Sequence, residues 1–247
     1  MAAYAAYVFD LDGTLYRGSE PIPHAVSAVE RVMGEGARVV YLTNNSTQTR
    51  GSFVAKLGKM GFPVTEEMVW NSSLGAALYC AAQGYKTAHV LGEPGLKRTL
   101  SEYCISETNG TPDVVIVGLN RSLTYQDIAE ASDWVRAGVP FVATNRDATF
   151  PLEGGRFIPG AGSVVSAVET AGGVTPFTVG KPNPYLLELI LDTNRLHRSE
   201  VLVIGDRMDT DIEAGRRAGC STLLVLTGVE SFAPDGQTSA PDLRHLA

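Results

Sequence analysis

Short, mainly apolar runs alternate along the chain with longer segments in which apolar residues recur at helical spacing. This alternation is typical of βαβ units, in which consecutive strands run parallel and helices cover the sheet. It predicts an α/β fold with a doubly wound, mainly parallel sheet. The predicted strands are residues 4–10, 38–43, 86–91, 113–119, 140–144, 176–179, 201–205 and 222–226. The predicted helices are residues 24–34, 47–60, 74–83, 125–137, 163–170, 184–193 and 209–218.

The middle of the chain, between residues 70 and 175, has predicted strands and helices of its own. We therefore predict two domains: a core formed by residues 1–70 and 177–247, and an inserted α/β domain formed by residues 71–176. Two domains that meet over a crevice can open and close around a substrate. Residues 233–241 have the composition of a loop.

Composition narrows the possible partners. Of the 247 residues, 44% are hydrophobic, which is enough for a buried core. The formal net charge of −7 argues against nucleic acid as a main partner, because phosphate backbones select basic surfaces.

The three cysteines lie far apart and form neither a zinc motif nor a disulfide framework. No apolar run approaches the roughly 18 residues that span a membrane. We expect a cytoplasmic protein; its oligomeric state stays open, a homodimer being one option.

Four polar residues stand at or just beyond the carboxyl ends of predicted strands: Asp10, Thr43, Lys181 and Asp206. Ligands of open α/β sheets bind outside those ends of the strands. Residues that are far apart in the sequence are therefore expected to converge on one crevice.

The first of these strands ends in Asp10-Leu11-Asp12-Gly13-Thr14. Glycine lets the chain turn at this point, and a turn brings the two carboxylates toward one substrate. Paired carboxylates at a strand end suit nucleophilic attack by one and proton transfer by the other. A turn whose aspartates cap the next segment explains the same residues without any chemistry.

The second strand ends in Thr43-Asn44-Asn45-Ser46, just before a predicted helix. Hydroxyl, amide and backbone N–H donors in that position suit a phosphate group. The structural alternative is a helix N-cap made by Ser46 or by the threonine that follows it.

Charged residues follow two later strands. Lys181 lies between a glycine and a proline, where its ammonium can reach a phosphate or offset crowded carboxylates. A lysine of a solvated loop is the alternative. Strand 201–205 is followed by Asp206, Asp209 and Asp211, which repel one another unless a cation compensates them. Magnesium accepts such oxygen ligands, although aspartates also favour the start of a helix.

Together and in this order, these segments resemble the motifs of the haloacid-dehalogenase superfamily of aspartyl-phosphate phosphatases. The resemblance spans essentially the whole chain, with D-x-D-G-T at residues 10–14, a threonine motif at Thr43, the lysine at Lys181 and G-D-x(4)-D at residues 205–211. The insert, with residues 144–151 and 159–163, resembles the branch called subfamily IIA. That branch includes phosphatases of p-nitrophenyl phosphate, phosphoglycolate, glycerol phosphate, pyridoxal phosphate and nucleoside monophosphates. The resemblance implies a Rossmann-like core with a cap domain and a small phosphorylated metabolite as the substrate.

The resemblance also implies a role for each motif residue. Asp10 would attack phosphorus and become an aspartyl phosphate, while Asp12 would protonate the leaving oxygen and later help to activate water. The phosphoryl oxygens would be bound by Thr43, Asn44, Asn45 and Lys181. The cofactor would be Mg²⁺, held by the carboxylates of Asp10 and Asp206, the backbone carbonyl of Asp12, and Asp211 through a ligand water.

Two further parts of the sequence bear on this resemblance. Asn145, Arg146 and Asp147 follow a predicted strand of the insert, so we expect them to face the leaving group, with a polar turn as the alternative. The branch commonly has a further strand and helix near its C-terminal end, whereas residues 231–247 are few and polar. This departure leaves the last edge of the sheet undetermined.

Two other functions stay open at this stage. A phospho-accepting receiver domain also uses aspartates, a threonine and a lysine at strand ends, but it is much shorter and lacks an acid two residues after the accepting aspartate. The second alternative function is a different reaction on the same fold, such as carbon–halogen or phosphonate cleavage. Asp12 argues against dehalogenation, because no alkoxide leaving group needs a proton there.

Overall fold

The computed structural model describes residues 4–151 and 156–246. The strands in this part of the chain are β1 (Ala6–Phe9), β2 (Tyr16–Arg17), β3 (Glu20–Pro21), β4 (Arg38–Thr43), β5 (Val69–Asn71), β6 (Thr87–Leu91), β7 (Ser106–Glu107), β8 (Val114–Val117), β9 (Phe141–Ala143), β10 (Thr149–Pro151), β11 (Phe157–Pro159), β12 (Phe177–Thr178), β13 (Val201–Gly205), β14 (Ser221–Val225) and β15 (Ser239–Ala240). The α-helices are α1 (Ala25–Gly34), α2 (Arg50–Lys59), α3 (Ser72–Gln83), α4 (Pro94–Glu102), α5 (Tyr125–Arg136), α6 (Ala161–Gly172), α7 (Tyr185–Asn194) and α8 (Glu213–Ala218).

The chain divides into two compact units. Within the described residues, unit 1 comprises the residues up to Thr43, Arg50–Trp70 and the residues from Lys181 onward. Unit 2 comprises Asn44–Thr49 and Asn71–Gly180. The predicted division differs in two places, because it assigns residues 44–49 and 177–180 to the core.

Unit 1 is built on a six-stranded sheet in the order β15-β14-β13-β1-β4-β5. The strands from β15 to β4 pair in parallel, with Phe9 of β1 opposite Ile204 of β13 on one side and opposite Tyr41 of β4 on the other. All residues of β1 and β13 are buried. Strands that are apolar on both faces are expected in a parallel sheet that is covered on both sides. The predicted α/β class is thereby confirmed.

The core of unit 1 surrounds the end of β1. Phe9, Leu11 and Leu15 are fully buried and belong to one cluster with Phe53 and Leu57 of α2. Because apolar residues stand on both sides of Asp10 in the sequence, the strand end and the turn after it are anchored in the core. The polar side chains of this segment therefore have fixed positions.

Unit 2 has its own five-stranded parallel sheet in the order β12-β9-β8-β6-β7. Its core includes Val115, Val117, Val135 and Val165. Helix α5 begins with a capping box in which Thr124 accepts from the backbone N–H of Asp127 and the Asp127 carboxylate accepts from the backbone N–H of Thr124. This exchange satisfies two N–H groups that the helix itself leaves unpaired.

Several elements differ from the sequence-based expectations or complete them. Helix α4 is absent from the prediction because Pro94 and Gly95 suggest a turn, yet proline is well tolerated in the first turn of a helix. Strand β12 falls within the range predicted for the core, but it pairs with β9 in the sheet of unit 2. The undetermined edge of the unit 1 sheet is the short strand β15, parallel to β14. Within the described residues, no helix combines the length and the apolar character needed to cross a membrane.

Candidate active site

Asp10 follows β1 directly and lies in the middle of the unit 1 sheet. Its backbone N–H donates to the carbonyl of Ile204 at 2.8 Å, which continues the β1–β13 ladder by one residue. Because Phe9 pairs with Ile204 in this register, Asp10 lies opposite Gly205. Asp206 is the residue directly after Gly205. Two carboxylates from distant parts of the sequence are thus brought to neighbouring strand ends, as the sequence predicts.

Asp12 lies in a tight turn whose shape depends on Gly13. The N–H of Leu15 donates to the carbonyl of Leu11 at 2.8 Å, and Gly13 has a φ of 87°, a conformation that glycine adopts without strain. The buried Tyr16 then donates its hydroxyl to Asp12 Oδ2 at 3.1 Å. The Lys56 Nζ lies 3.7 Å from the centre of the Tyr16 ring.

The environment of Asp12 favours its protonated form. Burial raises the pKa of Asp12, and the positive charge of Lys56 and the hydrogen bond from Tyr16 only partly oppose this rise. A carboxyl group with a raised pKa in a fixed position can donate a proton near neutral pH. Tyr16 and Lys56 were not identified from the sequence, and only the position of Tyr16 at the end of an apolar turn could have indicated its role.

Lys181 joins the acids from two segments. Its Nζ lies 2.6 Å from Asp10 Oδ1 and 2.6 Å from Asp211 Oδ1, and it donates to the carbonyl of Leu42 at 3.2 Å. The side chain is only 3% exposed. Burial alone would lower the pKa of Lys181, but the two carboxylates raise it above its ordinary value, so the lysine is charged.

The acids after β13 are held in different ways. Asp206 Oδ2 accepts from the backbone N–H of Val229 at 2.7 Å, whereas Asp206 Oδ1 is buried with no hydrogen-bond partner among the described residues. Asp211 Oδ2 accepts from the N–H of Arg207 at 3.1 Å. A Cβ on Gly205 would lie 2.4 Å from Asp211 Oδ2, so glycine is needed where this carboxylate packs against the strand end.

A cation fits this group of acids. Oxygens of Asp10, Asp206 and Asp211 all lie within 4.8 Å of one another. Burial raises the pKa of Asp10 well above its ordinary value, and burial together with the charge of Asp211 raises the pKa of Asp206 to about 7. Burial is the larger cause of both shifts, and the neighbouring carboxylates add to it because one lysine does not compensate all three. Hard carboxylate oxygens, among them the Asp206 Oδ1 that has no partner in the described part of the chain, match the ligands that Mg²⁺ prefers.

The predicted phosphate-binding segment is divided between the units. Thr43 is the buried last residue of β4 in unit 1, and Asn44 begins the piece that belongs to unit 2. In unit 2, Asn44 Nδ2 donates to Asp147 Oδ1 at 2.9 Å, and Asn145 Nδ2 donates to the Asn44 carbonyl at 2.7 Å. Asn45 Oδ1 accepts from the backbone N–H of Thr47 at 2.9 Å, as in an Asx turn.

The three residues of the insert that were expected to face the leaving group lie in two different environments. Asn145 and Asp147 are part of the hydrogen-bonded group around Asn44, and Asn145 is buried. Arg146, by contrast, forms an ion pair with Glu169 of α6. The side chain of Arg146 is therefore already engaged within unit 2, although the sequence analysis expected it to face a leaving group.

Known proteins resemble this chain in sequence over most of its length. The family model described as haloacid dehalogenase-like hydrolase matches residues 7–106, and a second, HAD-hydrolase-like model matches residues 178–245. The 5′-nucleotidase YutF of Bacillus subtilis is 37% identical, with 93% of this chain and 90% of YutF covered. The chain belongs to the haloacid dehalogenase-like hydrolase family.

Further comparisons place this haloacid dehalogenase-like hydrolase within its family. An acid sugar phosphatase of Staphylococcus aureus is 37% identical, covering 94% of this chain and 90% of the relative. The solved structure of a glycerol phosphate phosphatase from Mycobacterium tuberculosis in complex with magnesium has a TM-score of 0.88 and 34% identity, covering 98% of this chain and 76% of the other. The chain is a phosphoric monoester hydrolase of the subfamily IIA type.

We predict that Lys181→Met destabilises the metal-free protein, and more strongly at pH 8 than at pH 5.5. Without the ammonium, Asp10 and Asp211 lose the cation that pairs with both of them, which should cost about 3–5 kcal/mol of unfolding free energy at high pH. Because the pKa values of Asp10 and Asp206 are raised in the folded state, the folded variant binds more protons than the unfolded one between about pH 4 and 7. Its stability should therefore recover as the pH falls through this range.

Urea denaturation in EDTA, followed by circular dichroism at both pH values, measures this difference. Lys59→Met is the matched control, since Lys59 is an exposed lysine at the end of α2 in the same unit. Equal losses of stability at the two pH values would show that Lys181 does not act by compensating carboxylate charge.

Proposed function

We propose that this hydrolase is Mg²⁺-dependent and that it cleaves small soluble phosphate esters through an aspartyl phosphate on Asp10. The observation that carries the proposal is the surroundings of Asp10: one carboxylate oxygen contacts Lys181 at 2.6 Å, and Asp12 and Asp206 lie at the same edge of the sheet. A nucleophile, an acid, a fixed cation and further acidic ligands therefore occur together. Phosphoryl transfer needs this combination, because it depends on positioning and on stabilisation of the charged oxygens.

The reaction has two steps. In the first, a carboxylate oxygen of Asp10 forms a bond to phosphorus, the bond to the ester oxygen breaks, and that oxygen takes the proton of Asp12. In the second, Asp12 accepts a proton from water, whose oxygen attacks phosphorus and displaces Asp10 as a free carboxylate. The products are an alcohol and inorganic phosphate. The raised pKa of Asp12 supports its role as proton donor, because the acid form persists closer to neutral pH.

The neighbouring side chains have positioning and charge roles in this proposal. Tyr16, whose hydroxyl donates to Asp12 at 3.1 Å, restricts the Asp12 carboxyl group to one orientation. Lys181 offsets negative charge on Asp10 and on the phosphoryl oxygens, and Thr43 supplies a hydroxyl donor to those oxygens. Binding of the phosphoryl group by Asn44 and Asn45, and of the leaving group by Asn145 and Asp147, stays a prediction.

Mg²⁺ would be held by the carboxylates of Asp10 and Asp206, by the backbone carbonyl of Asp12, and by Asp211 through a water. When bound, the ion supplies positive charge that stabilises the phosphoryl oxygens. The buried Oδ1 of Asp206, which has no partner among residues 4–151 and 156–246, supports this assignment, since a buried acceptor without a partner is costly unless a ligand satisfies it. The magnesium in the Mycobacterium tuberculosis relative supports it independently.

The substrate is a small phosphate ester of the sugar or glycerol phosphate, phosphoglycolate, nucleotide or pyridoxal phosphate class. The relatives named for a nucleotide, an acid sugar and glycerol phosphate differ in substrate while being similarly related to this chain. Phosphate release from a panel of these esters, with p-nitrophenyl phosphate as a general substrate, identifies the preferred class. Failure of every ester to be hydrolysed would contradict the proposal. A cytoplasmic location and a homodimer stay predictions.

We predict that Asp10→Asn abolishes turnover while the fold is retained. The amide has nearly the same size, but it is a poor nucleophile, so kcat should fall by roughly a thousandfold or more. Steady-state release of p-nitrophenol measures the loss, and circular dichroism checks the fold. Asp209→Asn is the control, because Asp209 is an exposed acid that pairs with Arg207. Full activity of the Asp10 variant would exclude the nucleophile assignment, and wild-type protein that is phosphorylated once without turnover would instead favour a receiver.

We predict that Asp12→Asn slows alkyl phosphates by roughly a hundredfold or more, the usual contribution of a general acid. The first step with p-nitrophenyl phosphate should be slowed less, because p-nitrophenolate leaves without a proton. Rapid mixing should therefore show a burst of p-nitrophenol followed by slow hydrolysis of the intermediate. If the rate constant of the first step falls by the same factor for both kinds of ester, Asp12 is not the general acid.

We predict that Mg²⁺ raises the melting temperature more at pH 8 than at pH 6. Below about pH 7 protons compete for Asp206, whose pKa is raised to about 7, and Mg²⁺ must displace them. Binding should therefore strengthen as the pH rises through 7. Thermal denaturation in MgCl₂, with NaCl of equal ionic strength as the control, measures the shift, and EDTA should abolish turnover until Mg²⁺ is restored. A shift that is independent of pH would argue against these carboxylates as the ligands.

A further inference from the structure

The loop after β14, residues 226–230, packs directly on the side chain of Asp206. We call these residues the β14 loop. The N–H of Val229 donates to Asp206 Oδ2 at 2.7 Å, and the N–H of Glu230 donates to the Asp206 carbonyl at 3.2 Å. Both the carboxylate and the backbone of Asp206 are thus bound by consecutive N–H groups of one loop.

These contacts distinguish the two carboxylate oxygens of Asp206. Oδ2 is satisfied by the protein, whereas Oδ1 is buried without a hydrogen-bond partner within the described part of the chain. A carboxylate with one oxygen fixed in this way has lost its freedom to rotate. Its other oxygen is therefore presented in one direction, which suits a metal that demands strict geometry, as Mg²⁺ does.

Two glycines allow this close packing. A Cβ on Gly228 would lie 1.8 Å from Asp206 Oδ2, and a Cβ on Gly13 would lie 2.4 Å from the same oxygen. Both distances are far below van der Waals contact. A side chain at either position would therefore push the Asp206 carboxylate away from where it lies.

The β14 loop also binds the turn that carries Asp12. Thr227 Oγ1 donates to the carbonyl of Gly13 at 2.7 Å. The Thr227 carbonyl in turn accepts from Arg17, with Nε at 2.9 Å and a second contact from Nη2. One loop therefore contacts two of the segments that carry the proposed metal ligands, the turn after β1 and the residue after β13.

We propose that the β14 loop is a positioning element of the Mg²⁺ site, with Thr227 and Gly228 as its decisive residues. The loop fixes Asp206 so that Oδ1 faces the ion, and it sets the distance between Asp206 and the turn of Asp12. This inference rests on the proposed function, because it requires that Asp206 is a magnesium ligand. Residues that orient metal ligands in this way commonly contribute about 10–100-fold to metal affinity.

Isothermal titration of the metal-free full chain with MgCl₂ tests the inference without using activity. Thr227→Val keeps the shape of the side chain but loses the hydroxyl donor, whereas Thr227→Ser keeps the donor. We expect the Mg²⁺ dissociation constant to rise by about tenfold for Thr227→Val and to stay within about threefold of wild type for Thr227→Ser. Gly228→Ala should weaken binding by at least as much as Thr227→Val. A Thr227→Val variant that binds Mg²⁺ like wild type would overturn the inference.

Two controls separate this inference from the proposed function and from a loss of fold. Asp206→Asn should lose Mg²⁺ binding; if it does not, the metal assignment itself is wrong. If Asp206→Asn loses binding while Thr227→Val and Gly228→Ala retain it, only the role of the loop is wrong. Urea denaturation in EDTA checks each variant, and should Gly228→Ala fail to fold, the comparison of valine with serine at position 227 decides alone.

Discussion

The ammonium of Lys181 lies between the carboxylates of Asp10 and Asp211, and the candidate active site depends on this contact. Carboxylate oxygens of Asp10, Asp206 and Asp211 lie within 4.8 Å of one another. When all three acids are ionised, the single positive charge of the lysine leaves two negative charges uncompensated. Lys181 makes the cluster compatible with a folded protein, but it does not neutralise it. Burial raises the pKa values of Asp10 and Asp206, and the neighbouring carboxylates raise them further. A divalent cation would offset the two charges that the lysine leaves.

The register of the sheet determines which acids lie close enough to repel one another. β1 and β13 are neighbours, and their register sets Asp10 beside Gly205, with Asp206 immediately beyond. Because Gly205 has no side chain, Asp211 can pack against the strand end and reach Lys181. Apolar residues on both faces of the two strands hold this register in place. The chemistry of the site therefore follows from buried strands whose own residues take no part in it.

The sequence allowed much of this arrangement to be predicted. Apolar runs that end in polar residues indicated the parallel sheet and the acids at its edge, because a strand buried on both faces leaves a strong pattern. The partners of Asp206 and Asp12 gave no such pattern. Val229 binds Asp206 through its backbone, so its side chain carries no signal, and Lys56 lies on a helix where an amphipathic pattern hides its contact with Tyr16. Helix α4 was missed because proline and glycine at its start suggest a turn.

Lys181 lies beside Asp10, as the sequence predicts, but the strand before it belongs to the other sheet. Its preceding strand, β12, pairs with β9 in the sheet of unit 2, so the sheet of unit 1 does not hold the lysine by backbone pairing. Thr43, by contrast, is the last residue of β4 and is fixed by the unit 1 sheet itself. Lys181 is the first residue of the chain after it returns to unit 1, and its contacts with Asp10, Asp211 and the Leu42 carbonyl hold it there. The same ion pairs that compensate the acids therefore also locate the lysine, so its placement and its charge role cannot be separated.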